Sequence, residues 1–285
     1  MNVPHAHVIG DPIAQSKSPL IHGFWLEKLG IAGRYKARHV EPGELGDYLG
    51  KYRGDGSWIG CNVTMPHKRA IMGHLDQIDP VAQKLGAVNT VVRQENGALI
   101  GFNTDADGFL EPLIPTLKAQ HLFRMARIIG TGGAARAIIA ALAHNGFTLV
   151  VAGRNPDKAR ALLDEIAPEG EHHAIHLSHF ADPTDFAFDD REGCLDLVIN
   201  ASPLGMRGNP ELRFDWSHAP PGSIAYDIVT DPLDTPFLKA ARDVGHPVID
   251  GLSMLVGQAA IAFEKFFGVS PPREHDDTLR ALLIR

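Results

Sequence analysis

The chain has 285 residues, a net charge of −7 and 44% hydrophobic residues. That suffices for apolar cores in two domains of about 100–150 residues each, and the charge has the wrong sign for a nucleic-acid backbone or an anionic membrane. Cys61 and Cys194 form neither a disulfide framework nor a CxxC pair, MNVPHAHVIG lacks the basic-then-apolar order of a signal peptide, and no apolar run reaches the roughly 18 residues of a membrane span, so a cytoplasmic protein with reduced thiols is expected.

The first third alternates short apolar runs with helical stretches. HVIG reads as a strand and DPIAQSKSP as a loop. PLIHGFWLEKLG reads as a helix, with Ile21, Phe24, Trp25 and Leu29 near helical spacing and Gly30 as its stop. YKARHV and WIGCNVT are strand candidates, the second ended by Pro66. GAVNTVVRQENGALIGFNTD reads as a hairpin that turns at Glu95–Asn96–Gly97.

The middle third has a sharper rhythm. MARIIG is a buried strand, GTGGAA a glycine-rich turn, ARAIIAALAHNG a helix closed by Asn145–Gly146, and TLVVAG the next strand. This is a βαβ unit, the repeating element of a parallel sheet with helices packed on it. LDLVINAS and SIAYDIV are later strands of the same kind, and DPLDTPFLKAARDVG begins as a loop and ends as a helix. MLVGQAAIAFEKFFG, apolar almost all round, reads as a buried helix, and DDTLRALLIR as a more amphipathic last one. No repeat or low-complexity tract is visible.

The expected plan is α/β with two domains: an N-terminal α/β domain over residues 1–106, and a Rossmann-like, doubly wound domain over 107–250. Residues 251–285 supply C-terminal helices that return to the first domain.

Gly130, Gly132 and Ala135 fit G-x-G-x-x-G/A between a strand and a helix. The first glycine permits a tight turn, the second lets a pyrophosphate approach the backbone, and the small third residue lets helix and strand pack closely. The helix N-terminus adds free N–H groups and partial positive charge. A tight turn that binds nothing is the competing reading. An NAD site wants an acid after the second strand; here Arg154 and Asn155 stand there, and an arginine pairs with a 2′-phosphate. NADP is therefore favoured, while Asp157 keeps NAD open and a solvated loop arginine remains the plain alternative.

The first domain carries polar clusters. Ser16 and Ser18, two apart, would face one ligand in an extended segment, although a loop or helix start explains them equally well. In NVTMPHK, Asn62 and Thr64 alternate on a strand and Lys68 emerges beyond its end, where ligands of α/β sheets gather. Asn89 in GAVNT and Asn103–Thr104–Asp105 in GFNTD add amides and a carboxylate suited to a hydroxyl-rich ligand, and also to ordinary turns.

SKSP, NVTMPHK, GAVNT, NTD, GTGGAARA, NASPLGM and GLSMLVGQAA occur in an order and spacing that resembles the shikimate dehydrogenases, nearly end to end. The resemblance implies reduction of 3-dehydroshikimate to shikimate with NADPH, with Lys68 and Asp105 as the catalytic pair. It places Ser16 and Ser18 at the substrate carboxylate, and Thr64, Asn89 and Gln258 at its hydroxyls and ring. Gly130, Thr131, Gly132, Gly133, Ala134, Gly153, Arg154, Asn155, Ile228 and Gly251 would line the cofactor. No metal is implied, and the only partner is the small-molecule substrate, for a monomer or homodimer.

Three departures stand out. Thr230 occupies a substrate-binding position where family members usually carry Tyr, keeping a hydroxyl but losing length and an aromatic face. The adenosine-phosphate loop reads Gly153–Arg154–Asn155 where NRT is usual, and Asp107 follows NTD at a usually uncharged position. These keep open an NAD-linked quinate, shikimate or aminoshikimate dehydrogenase. A dinucleotide-binding regulator is a further alternative, though a sensor needs no pair such as Lys68 and Asp105. The histidines of EHHAIHLSH (His172, His173, His176 and His179) lack a metal-site pattern and read as surface residues.

Overall fold

The computed structural model describes residues 3–188 and 191–284. Its first elements are β1 (His5–Gly10), α1 (Ser18–Leu29), β2 (Arg34–His39), α2 (Leu45–Arg53), β3 (Trp58–Val63), β4 (Gln77–Ile78), α3 (Pro80–Leu85), β5 (Thr90–Arg93), β6 (Leu99–Phe102) and α4 (Asp105–Leu110). After α5 (Ile114–Leu117) come β7 (Phe123–Ile129), α6 (Gly133–His144), β8 (Thr148–Gly153), α7 (Pro156–Ile166), β9 (His173–His176), β10 (Cys194–Asn200), β11 (Ile224–Asp227), α8 (Pro236–Asp243) and β12 (Val248–Ile249). The chain ends with α9 (Gly251–Phe267) and α10 (Asp276–Leu283).

Two units result. One runs from the N-terminus to Gly108 and resumes at Val256; the other spans Phe109–Leu255. The divisions fall inside α4 and α9, a few residues beyond the positions expected from sequence, and packing explains why. Phe109 stacks on Tyr226 with ring centroids 4.8 Å apart, and the Gly251 backbone lies against the carbonyl of Ile228. Both contacts belong to the second unit.

The first unit holds a mixed sheet in the order β2-β1-β3-β5-β6-β4. β1 pairs in parallel with β2 and β3; the β5–β6 hairpin is antiparallel, with Thr90 opposite Phe102. One face is covered by α2, whose Leu45, Tyr48 and Leu49 pack with Trp58, Cys61 and Val91. On the other face, Ala262 and Phe266 of α9 join Ala6, Val8 and Tyr35. The sheet therefore needs the C-terminal helix to bury its second apolar surface. Arg34, Lys36 and Arg38 lie exposed along the edge strand β2, and charges there discourage edge-to-edge pairing.

The second unit is a fully parallel sheet in the order β12-β11-β10-β7-β8-β9. Its sequence order reverses at the β7–β10 neighbours, the switch point at which α/β folds open a crevice beyond their strand ends. Helix starts carry local signals. Asn155 caps α7 by accepting from Asp157 N and Lys158 N, Thr235 caps α8, and a proline follows each cap.

Two buried histidines make the first unit acid-sensitive. His22 is stacked on Tyr35, and burial lowers its pKa from 6.5 to about 3. His7 is lowered from 6.5 to about 4, by burial first and then by Arg38 and His5. Between about pH 6.5 and 4 the unfolded chain takes up protons that the folded chain refuses, so stability falls as pH falls, by up to about 1.4 kcal/mol per pH unit for each histidine. Thermal melts are expected to give a flat Tm above about pH 7 and a falling Tm below 6.5. His22→Leu should reduce that slope; an unchanged slope would remove His22 from the account.

Candidate active site

Beyond β3 the chain turns through residues 64–69 and is pinned on both sides. Buried His67 donates from Nε2 to the Val40 carbonyl at 2.7 Å, and Val88 N donates to the Lys68 carbonyl at 2.8 Å. The only sequence signal for His67 is its place beside Lys68 in NVTMPHK. The pinned turn directs Lys68 Nζ to Asp105 Oδ2 at 2.5 Å, with the two side chains 17% and 6% exposed.

Asp105 opens α4. Its N–H donates to Asn103 Oδ1, and its other oxygen, Oδ1, accepts from Asn89 Nδ2 at 2.8 Å. Lys68, Asn89 and Asp105 are thus brought together from three separated segments. Asp107, unexplained by sequence, sits exposed in the first turn of α4, where the helix dipole favours negative charge.

Ser16 and Ser18 differ from the extended arrangement expected. Lys17 between them is helical, at φ −81° and ψ −10°, because α1 begins there with Pro19 in its first turn. Ser18 is buried, and its N–H donates to Ser16 Oγ at 3.4 Å, so their proximity comes from a turn rather than from alternation. Thr64 is half-buried just past β3. Gln258 lies in α9; its carbonyl accepts from Thr104 Oγ1 at 3.0 Å, and a Cβ on Gly108 would lie 2.4 Å from its backbone nitrogen. Glycine at 108 therefore permits the close approach of α4 and α9.

In the second unit the loop between β7 and α6 has the form a dinucleotide needs. Gly130 has φ +123°, and a Cβ there would meet the Ala201 carbonyl at 2.6 Å. Gly132 begins α6 with open space where its side chain would be, and Ala135 is fully buried. Thr131, Gly133 and Ala134 complete this turn. A Cβ on Gly153 would lie 3.2 Å from Thr131 Cγ2, so the departure at this position fits a tight contact between the two strand ends. Arg154 is exposed and makes no ion pair among the described residues, whereas the Asn155 oxygen is committed to capping α7.

Ile228 and the half-buried Thr230 follow β11, and Gly251 lies against the Ile228 carbonyl. A network that sequence did not reveal holds this loop. Fully buried Asp227 accepts from Asn200 Nδ2, Thr235 Oγ1 and Val229 N, and burial raises its pKa. Among the described residues no group of three or more His, Cys, Asp and Glu is placed to hold a metal, and no helix is long and apolar enough to cross a membrane. Two of the clustered histidines have structural partners: His172 Nδ1 accepts from Leu149 N, and His176 Nδ1 from Ser178 N.

Residues 8–91 match the family model of the shikimate dehydrogenase substrate binding domain, and residues 251–275 match that of the shikimate 5'-dehydrogenase C-terminal domain. Residues 126–186 match a model described as NADP oxidoreductase coenzyme F420-dependent. The chain is 47% identical over 283 residues to a shikimate dehydrogenase (NADP(+)) of Sphingopyxis alaskensis, covering 99% of this chain and 97% of the relative. A shikimate dehydrogenase crystallised with NADP+ superposes with a TM-score of 0.86 at 32% identity, covering 99% of this chain and 96% of that one. The shikimate 5-dehydrogenase of Thermus thermophilus in complex with NADP(H) and shikimate gives 0.79 at 34% identity, covering 98% and 99%.

Proposed function

Because this chain belongs to the shikimate dehydrogenase family, we propose that it reduces 3-dehydroshikimate to shikimate with NADPH and runs the reverse oxidation with NADP. The Lys68–Asp105 pair carries this reading. Adding a hydride to a ketone carbon leaves negative charge on the oxygen, which needs a proton and a nearby cation. In the reduction Lys68 Nζ gives that oxygen its proton and the pair regains one from solvent; in the reverse oxidation the hydroxyl proton passes out through the pair. Asp105 orients the ammonium and accepts from the neighbouring substrate hydroxyl.

Ser16 and Ser18 hold the substrate carboxylate, Thr64, Asn89 and Gln258 its hydroxyls and ring, and Thr230 adds a hydroxyl. Gly130, Thr131, Gly132, Gly133 and Ala134 would hold the pyrophosphate, Gly153, Arg154 and Asn155 would lie around the adenosine phosphate, and Ile228 and Gly251 would also line the cofactor. NADPH, when bound, supplies the hydride. The open backbone at Gly132 and the positive φ of Gly130 support this assignment. The free thiols Cys61 and Cys194 suit the reducing cytoplasm.

The test is an initial-rate assay of shikimate oxidation with NADP and NAD in parallel. Strong turnover with NADP and weak turnover with NAD are expected. Turnover with NAD alone would overturn the cofactor reading, and silence with both would overturn the substrate reading.

A further inference from the structure

We infer that Thr90, with Asn62 behind it, is a positioning residue that, together with the Thr104 N–H, holds the Asn89 amide with its nitrogen toward Asp105. An Asn side chain fits the same space either way round, and only one way offers N–H to a carboxylate. Two backbone groups set the polarity here. Thr104 N–H can only donate, and it lies 2.9 Å from Asn89 Oδ1. That oxygen therefore faces Thr104, and Asn89 Nδ2 faces Asp105 Oδ1 at 2.8 Å. At the other end the Asn89 carbonyl can only accept, and it takes a hydrogen bond from Asn62 Nδ2 at 3.2 Å.

The same Asn62 nitrogen donates to Thr90 Oγ1 at 3.0 Å, while the Tyr35 hydroxyl donates to Asn62 Oδ1 at 2.6 Å. Thr90 has a single hydroxyl proton, and it goes to Asn89 Oδ1 at 2.9 Å. With Thr104 N–H and Thr90 O–H both in place, the two lone pairs of Asn89 Oδ1 are filled. Tyr35, Asn62, Thr90 and Asn89 are all buried, so water is excluded from these bonds. A reversed Asn89 would set its NH2 against the Thr104 N–H and its oxygen against the Asp105 carboxylate. Acting through Asn89 and beside Thr104, Thr90 thus helps keep Asp105 Oδ1 engaged by Asn89 Nδ2 and Oδ2 left for Lys68.

The inference rests on the reading of Lys68 and Asp105 as the reacting pair. Thr90→Val keeps the shape and removes the proton; Thr90→Ser restores the hydroxyl. The variants would be compared by kcat and its pH profile, by KM for shikimate, by NADP affinity from fluorescence titration, and by Tm. Thr90→Val is expected to lower kcat about tenfold, the equivalent of one lost hydrogen bond, and to shift the pH profile while NADP affinity stays unchanged. Thr90→Ser should recover most of kcat.

Wild-type kcat and pH profile in Thr90→Val would overturn the inference, as would a Thr90→Ser variant as slow as Thr90→Val. If Thr90→Val does not fold, Tyr35→Phe decides: a kcat loss of about threefold with a shifted profile is expected, and no change overturns the role. Lys68→Ala separates the two readings. Normal turnover there would remove the reacting pair itself, whereas lost turnover beside an unaffected Thr90→Val would remove only the positioning role.

Discussion

Lys68→Ala is expected to lower kcat for shikimate oxidation by roughly 10²–10⁴, the usual contribution of a positioned acid–base group, with NADP affinity close to that of the unaltered protein. The separation follows from the division of the chain. Lys68 and Asp105 belong to the first unit, and Gly130 to Asn155 belong to the second. Removing the lysine also leaves the Asp105 carboxylate, 6% exposed, without its cation. For a fully buried pair that costs about 3–5 kcal/mol. Lys68 is partly open to water, so screening makes the cost smaller here, and a lowered Tm in a still-folded protein is expected. Asp105→Asn should also be severely slowed, because the new amide nitrogen must face either the Lys68 ammonium or Asn89 Nδ2, a donor against a donor in both orientations. Initial rates, a fluorescence titration with NADP and a thermal melt check all of this. Turnover close to that of the unaltered protein would sink the catalytic assignment, and parallel loss of turnover and NADP binding would point to misfolding instead.

Arg154→Ala is expected to raise KM for NADP roughly tenfold to a hundredfold and to leave KM for NAD nearly unchanged. A hydrogen bond to a charged group contributes about 1.5–3 kcal/mol, and only NADP carries the 2′-phosphate that would receive it. Arg154 follows β8, is exposed and has no ion-pair partner among the described residues, so its guanidinium is available to a phosphate. The neighbouring Asn155 is less adaptable, since its side-chain oxygen already caps α7. Paired kinetics with the two dinucleotides make the measurement. An unchanged NADP-to-NAD preference would show that Arg154 is only a solvated loop residue.

Legibility varies from element to element. The stretch from β7 through α6 to β8 is readable because a continuous apolar run, a glycine turn and an amphipathic run each carry their signal within a few residues. The β5–β6 hairpin is readable for the same reason, through Asn96–Gly97. α2 escapes sequence reasoning: Gly46 and Gly50 depress its helix propensity, and it forms because Leu45, Tyr48 and Leu49 find a sheet to cover. α7 escapes it although Asn155–Pro156 is a helix-start signal, because those residues also read as a cofactor loop. β4, two residues long, is below any periodicity.

Residue order alone decided the features governed by neighbours in the chain: the two α/β modules, the glycine turn, the proline-led helix starts and the hairpin. Tertiary structure decided everything that depends on residues meeting across long separations. It set Lys68 against Asp105, 37 positions apart, and turned the Asn89 amide through Thr90 and Thr104. It also brought α9 back to cover the first sheet and buried Asp227 among its three donors. The reason is physical. A strand or helix signal is written in side-chain periodicity over one short segment, whereas the direction of a hydrogen bond depends on which donors and acceptors the folded backbone delivers to the same few ångströms.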